Sequence, residues 1–150
     1  MTESIVVGTD GSQTATRAVK EAARLARALG AELHIVSAYD PRPSALSALS
    51  GEFAMPPDGD ADALEAMLAA AAAALRAEGL LVATHAAGGN PADALVEVAA
   101  AVGASTIVVG NQGMHGAKRV LGSVPNTVSH KARCNVLIVS TRSSGEGRAR

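Results

Sequence analysis

Apolar residues along this chain arrive in two rhythms. Ile5-Val6-Val7, Leu33 to Tyr39, Leu80 to Ala86, Ser105 to Val109 and Asn135 to Ser140 are short runs rich in leucine or β-branched residues, and each reads as a buried strand. Between them the period changes to that of a helix. From Ser12 onward, Ala15, Ala18, Val19, Ala22, Leu25, Ala26 and Leu29 recur at three- and four-residue spacing, with Arg17, Lys20, Glu21, Arg24 and Arg27 on other faces. A second helix is expected from a cap at Asp60 or Asp62 through Leu64, Met67, Leu68 and Leu75, and its six consecutive alanines have the highest helix propensity available. A third starts at Asn90-Pro91, with Asn90 as N-cap, Pro91 at the first helical position and Asp93 near the positive end of the dipole. A fourth runs from Ser123 to about Ala132, with Ser123 as its natural N-cap.

Glycines punctuate the pattern. Helices end at Gly30, Gly79 and Gly103, and a strand follows within three residues each time. Strands that are apolar throughout, alternating with helices, point to a parallel sheet covered on both faces. The expected fold class is α/β, an open doubly wound five-stranded parallel sheet in the order 3-2-1-4-5 with helices on both faces, Rossmann-like. Residues 1–141 make a single domain. Residues 40–60 hold four of the six prolines and read as an irregular connection, and 142–150 read as a disordered polar tail. In this order the first and fourth strands are neighbours where the winding reverses, so Gly8-Thr9-Asp10 and Gly110 should meet at the crevice where such sheets bind ligands.

Composition narrows the partners. Of 150 residues 48% are apolar, yet there is one Phe, one Tyr and no Trp. The core must be aliphatic, and the aromatic platforms of single-strand nucleic-acid binders are missing. A net charge of −1 without a basic cluster outside the tail argues against nucleic acid or any other polyanion. The longest apolar run, around Ala66 to Leu75, is too short for a bilayer, and no signal peptide is visible, so no membrane partner is expected. Cys134, the single cysteine, fits a reducing compartment, and a cytoplasmic location follows.

The candidate chemistry lies in the stretch Gly110 to Pro125. A β-branched run leads into Gly110, glycines recur at 113, 116 and 122, and Gly122-Ser123 opens a helix. Residues without side chains let backbone N–H groups approach oxyanions, and the free N–H groups of a first helical turn face them, so the stretch suits phosphate. It is neither the dinucleotide fingerprint nor a Walker A loop. A plain turn-rich connection is the competing reading. Asp10 likewise reads as a turn residue capping the first helix. Of the histidines, His34 and His85 fall in strands and read as packed or edge residues. His115 lies in the loop, and His130 stands with Lys131 and Arg133 where positive charge suits a helix C-terminus. Lys118 and Arg119 are the cations nearest the loop. No metal-ligand spacing and no nucleophile–base pair is readable, so no catalytic residue is assigned.

Taken together, these residues resemble the universal stress protein family. Its members carry G-x2-G-x9-G-[S/T] after the fourth strand and an aspartate after the first. Here Gly110-x2-Gly113 and Gly122-Ser123 match, with Val7-Gly8-Thr9-Asp10-Gly11-Ser12 and the closing Asn135 to Val139, over residues 3–141. Eight residues, Met114 to Leu121, separate Gly113 from Gly122, one fewer than the family form. The resemblance implies an adenine nucleotide alpha hydrolase-like fold and a stress-response sensor that binds ATP, AMP or cyclic AMP. It puts Gly8, Thr9 and Asp10 near ribose or phosphates, the Ala38 backbone on adenine, and Val109 and Gly110 beside the ribose. Gly113, Gly122, Ser123 and Val124 would hold phosphates, and Met114 belongs to the same nucleotide-binding set. Mg²⁺ at Asp10 would make a slow ATPase or phosphotransferase the first alternative, and a nucleotide-free interaction module is the second. A homodimer is also implied. The fifth strand, Val136 to Val139, would be an uncharged sheet edge able to pair with another copy.

Overall fold

The computed structural model describes residues 2–39, 57–111 and 123–141, with side chains from residue 61 onward in the second helix. Strands β1 (Ser4–Gly8), β2 (Glu32–Tyr39), β3 (Val82–Gly88), β4 (Thr106–Gly110) and β5 (Asn135–Val139) alternate with helices α1 (Gln13–Leu29), α2 (Pro57–Ala77), α3 (Pro91–Val102) and α4 (Ser123–Lys131). All pairings are parallel and the order is β3-β2-β1-β4-β5, as the alternation predicts. Central β1 carries a neighbour on each side, with Val7 opposite both Ile35 and Val108. Its residues Ser4 to Val7 are all buried, which is why the strand shows no polar alternation.

Two cores sandwich the sheet. Ile5, Val7, Leu33, Ile35 and Val108 face α1 and α2, while Val6, Val36, Ile107 and Val109 face α3 and α4. Helix α1 buries only alanines, Ala18, Ala22, Ala23 and Ala26, so its backbone rides close on the sheet. In α2 the buried residues include Leu68 and Ala72, and in α3 Leu95 and Ala99.

The capping chemistry explains where elements stop. Ser12 Oγ accepts the Ala15 N–H at 3.2 Å, and Asn90 Oδ1 accepts those of Ala92 and Asp93 at 2.9 and 3.3 Å. Gly30 and Gly103 adopt left-handed backbone, φ 63° and 62°, and close α1 and α3.

Several boundaries differ from the sequence expectation. Strand β3 begins at Val82 rather than Leu80, because the Leu80 N–H is still bonded to the Leu75 carbonyl at the end of α2. It runs on to Gly88, which pairs with Tyr39. Helix α2 starts at Pro57, ahead of the expected caps Asp60 and Asp62. Proline suits a helix start because its φ is preset and its missing N–H costs nothing there. Ser123 is the first residue of α4 rather than a cap preceding it. Most of the proline-rich connection, the loop from Gln112 to Gly122 and the polar tail lie outside the described residues.

Candidate functional site

The carboxyl ends of β1 and β4 open into one crevice, where the sheet reverses its winding. Gly8, Thr9 and Asp10 come to it from β1, Ala38 from β2, and Val109 and Gly110 from β4. Ser123 and Val124 enter from the start of α4. These eight residues of the sequence-derived set are therefore brought together. Gly113, Met114 and Gly122, with His115, Lys118 and Arg119, lie outside the described residues.

Other lining residues were not anticipated. Ser12, Thr14 and Ala15 come from the start of α1, and Val36 and Ser37 from β2. Pro91 and Leu95 come from α3, and Pro125 from α4. Placing Leu95 needs the helix–sheet register, which local periodicity does not contain. Sequence marked Ser12 only as the start of the helical period and gave the cap to Asp10, whereas Ser12 is the N-cap of α1.

The β1–α1 turn is held from within. The Thr9 N–H donates to the Val36 carbonyl at 2.9 Å, tying the turn to β2. Thr9 Oγ1 accepts the Gly11 N–H at 3.1 Å, and Asp10 Oδ1 accepts the Ser12 N–H at 2.9 Å. Gly11 has φ 79°, a left-handed backbone that favours glycine, and a Cβ there would lie 2.5 Å from Met67 Sδ, so that flexible side chain would have to move as well. Asp10 is thus a turn residue and a crevice residue at once. Its first oxygen is engaged by the backbone, while the carboxylate as a whole stays exposed.

Three helices point their N-termini at this crevice, and they differ electrostatically. The α3 terminus is occupied by the Asn90 cap and carries Asp93, which pairs with Lys131 at 2.8 Å. Among the described residues, the first turns of α1 and α4 carry no acidic side chain. Within α1, the Ser12 hydroxyl already takes the Ala15 N–H. The α4 start, with the hydroxyl of exposed Ser123, is the better seat for an anion. Toward β2 and α3 the lining turns apolar at Val36, Ala38 and Leu95, and Val109 of β4 adds to it. An apolar floor beside a polar, anion-favouring rim suits a ligand with a flat ring at one end and phosphate at the other.

No group of three or more potential metal ligands occurs among the described residues. Asp10 offers a single carboxylate. That fits Mg²⁺ only in the way the ion commonly binds, through one or two carboxylates and the phosphates of its substrate. At Cys134, burial pushes the thiol's pKa up, which keeps it protonated at neutral pH.

A separate feature joins two residues read singly from sequence. His34 Nδ1 and His85 Nε2 lie 3.0 Å apart, and the ring centroids are separated by 5.2 Å, so the rings meet nearly head-on in one N–H···N bond. Glu32 Oε2 stands 3.7 Å from His34 Nε2, which is buried without a hydrogen-bond partner. Burial, then the proximity of His34, holds the His85 pKa below 6.5, with Glu32 opposing. The unfolded chain therefore takes up more protons than the fold as pH drops through 6.5, and stability falls with acidification. The unfolding midpoint is expected to decline between pH 7 and about 5.5 more steeply in the wild type than in His85→Gln. Parallel pH profiles would contradict this.

Comparison with known proteins places these features in a wider set. The profile of the universal stress protein family matches residues 1–140. A universal stress protein of Mycobacterium tuberculosis H37Rv is 41% identical over 143 residues, spanning 93% of this chain and 97% of its own. The crystal structure of a universal stress protein in complex with cAMP matches with TM-score 0.69 at 37% identity, over 94% of this chain and 98% of that one. The universal stress protein from Archaeoglobus fulgidus in complex with dAMP matches with TM-score 0.66 at 26% identity, over 92% and 98%.

Proposed function

The chain belongs to the universal stress protein family, and from that premise we propose that it is a stress-response protein that binds an adenine nucleotide in the β1–β4 crevice. The observation that carries this is the meeting of Gly8 to Asp10, Ala38, Val109, Gly110 and the α4 start around one space. Two relatives of the same fold hold adenine nucleotides, one cAMP and one dAMP.

In this reading the base lies against Ala38 and the apolar floor, with its edge on backbone groups of β2. The ribose sits between Asp10 and the Val109–Gly110 backbone. Phosphates lie at the N–H groups of Ser123 and Val124 and at the Ser123 hydroxyl, with Gly113, Met114 and Gly122 completing the cradle. Among adenine nucleotides we take ATP first. Mg²⁺, when bound, would neutralise phosphate charge and be held by Asp10.

The role is binding rather than turnover. This reading follows the sequence, in which no nucleophile–base pair is readable. The cytoplasm is the location in keeping with this role, and no helix among the described residues is long and apolar enough to cross a membrane.

Thermal unfolding with ATP, ADP, AMP or cyclic AMP tests the reading. A ligand at 100-fold its Kd adds ~2.7 kcal/mol, which raises Tm by roughly 5–10 °C for a chain of this size. No shift with any of the four would overturn it and leave the interaction module as the better account.

We also propose a homodimer paired through β5. This strand lies at the sheet edge, and Leu137 and Ile138 are each 37% exposed. An apolar edge strand with open backbone groups is a template for a second copy. Ile138→Asp is expected to halve the sedimenting mass, and an unchanged mass would argue against this interface.

A further inference from the structure

Strand β2 carries His34, Val36 and Ala38 at alternate positions, so the three share the face of the sheet that α3 covers. Val36 and Ala38 belong to the floor of the crevice. The register sets His85 of β3 directly across from Val36, and Ala87 across from Ala38. His34 stands one same-face step, about 6.6 Å, before Val36. The bonded histidines therefore lie against the floor of the crevice, on its β3 side.

Their surroundings decide which nitrogen holds each proton. His34 Nε2 is buried without a hydrogen-bond partner, 3.7 Å from Glu32 Oε2. A bare lone pair facing a carboxylate would be repelled, whereas an N–H facing it is attracted. His34 Nε2 therefore carries hydrogen, and its Nδ1 accepts the 3.0 Å bond that His85 Nε2 donates. His85 Nδ1 is left as the open proton site of the pair, on a ring that is only half-buried. The charges acting on His85 are those of His34 and Glu32, both on β2. The ionisable residues of α3, the helix over this face, are Glu97 and Asp93, and Asp93 is paired with Lys131. From the opposite face, Arg76 of α2 bonds the Val82 carbonyl at the start of β3.

We propose that nucleotide binding in the crevice is coupled to proton release from this histidine pair, so that acidification weakens binding. The inference rests on the nucleotide reading above and deepens it by naming what regulates the site. A base laid against Val36 and Ala38 adds an apolar wall beside His85 and takes water from its ring. Desolvation disfavours the imidazolium, so the bound state favours the neutral pair, and a proton on His85 Nδ1 leaves to solvent. Burial already holds the His85 pKa below 6.5, and a bound base lowers it further. Affinity is then full above 6.5 and falls as pH drops below it. Were the pair only a clasp between β2 and β3, acid would lower stability and leave affinity alone.

The test is calorimetric titration of the full chain with adenosine and with ATP, in steps from about pH 7.5 to 5. It compares the wild type with His85→Gln and Glu32→Gln, and records the unfolding midpoint of each. Adenosine has no phosphate to titrate, and for ATP the comparison of wild type with variant cancels that contribution. Over this range wild-type affinity is expected to fall about threefold or more beyond any fall in His85→Gln. Glu32 opposes the lowering of the His85 pKa, so in Glu32→Gln the fall should move to lower pH. A wild-type profile that matches His85→Gln, whether flat or falling, would overturn the inference. Should His85→Gln fail to fold, an unshifted fall in Glu32→Gln would overturn it. A wild type that binds neither ligand even at neutral pH would overturn the nucleotide reading itself. A wild type that binds either ligand, with the same pH profile as its variants, would overturn the coupling alone.

Discussion

Replacing Gly8 by valine is expected to lower nucleotide affinity about 100-fold or more while leaving a folded domain. A Cβ at Gly8 would lie 3.1 Å from Leu95 Cδ1 and 3.3 Å from Cδ2. Leu95 is 2% exposed in the core between the sheet and α3, so it has little room to withdraw. Both residues line the crevice, and valine adds two further methyl groups at this point. Overpacking of this kind costs ~1–3 kcal/mol, which a domain with the usual ~5–15 kcal/mol survives. For the ligand, a single methylene too many in a close-fitting site is worth roughly 10–200-fold. Gly8→Ala needs Leu95 to yield only a few tenths of an ångström and should be much milder. Calorimetric affinities for both variants, with their unfolding midpoints, make the comparison. Wild-type affinity in Gly8→Val would contradict the placement of the ligand.

Ile5→Ala is expected to give the largest loss of stability, about 3–4 kcal/mol within the usual 2–5 for such truncations. Ile5 is fully buried on the central strand, opposite Leu33 of β2 and Thr106 of β4. The cost depends on how well neighbours collapse into the space. The fully buried residues of α1 are all alanines, and only the partly buried Val19 and Leu25 offer longer side chains from this helix, so collapse into the space is limited. The expected fall in Tm is roughly 6–16 °C, and urea denaturation should show an unchanged m-value with a lower midpoint. A loss under about 1 kcal/mol would mean that this core is less tightly packed than its burial suggests.

What could be read in the sequence is what local chemistry dictates. Asn90-Pro91 marks the start of α3 because the cap and the preset φ act over two or three residues. Gly30 and Gly103 mark helix ends because few other residues accept their backbone conformation. The strand order was legible because right-handed crossovers leave few ways to cover both faces of a parallel sheet. Asp10 was legible as a crevice residue because it follows the end of β1, and Ser123 because it opens the helix after β4, on the side of the sheet where doubly wound folds bind.

The features that escaped are non-local. His34 and His85, 51 positions apart, meet only through the register that sets Val36 opposite His85. Asn111 and Thr141, 30 apart, meet through the β4–β5 ladder. Leu95 and Pro91 reach the crevice through the docking of α3, which periodicity does not specify. The start of β3 shifted because the C-terminal hydrogen bonds of α2 hold Leu80, a competition invisible in an apolar run.

The central claim is the place where the nucleotide lies, and a crystal structure of this chain grown with ATP or cyclic AMP tests it most directly. Adenine is expected against Ala38, ribose beside Asp10 and the Val109–Gly110 backbone, and phosphate at the N–H groups of Ser123 and Val124. Density for the ligand anywhere else on the molecule, with this crevice left to solvent, would contradict it.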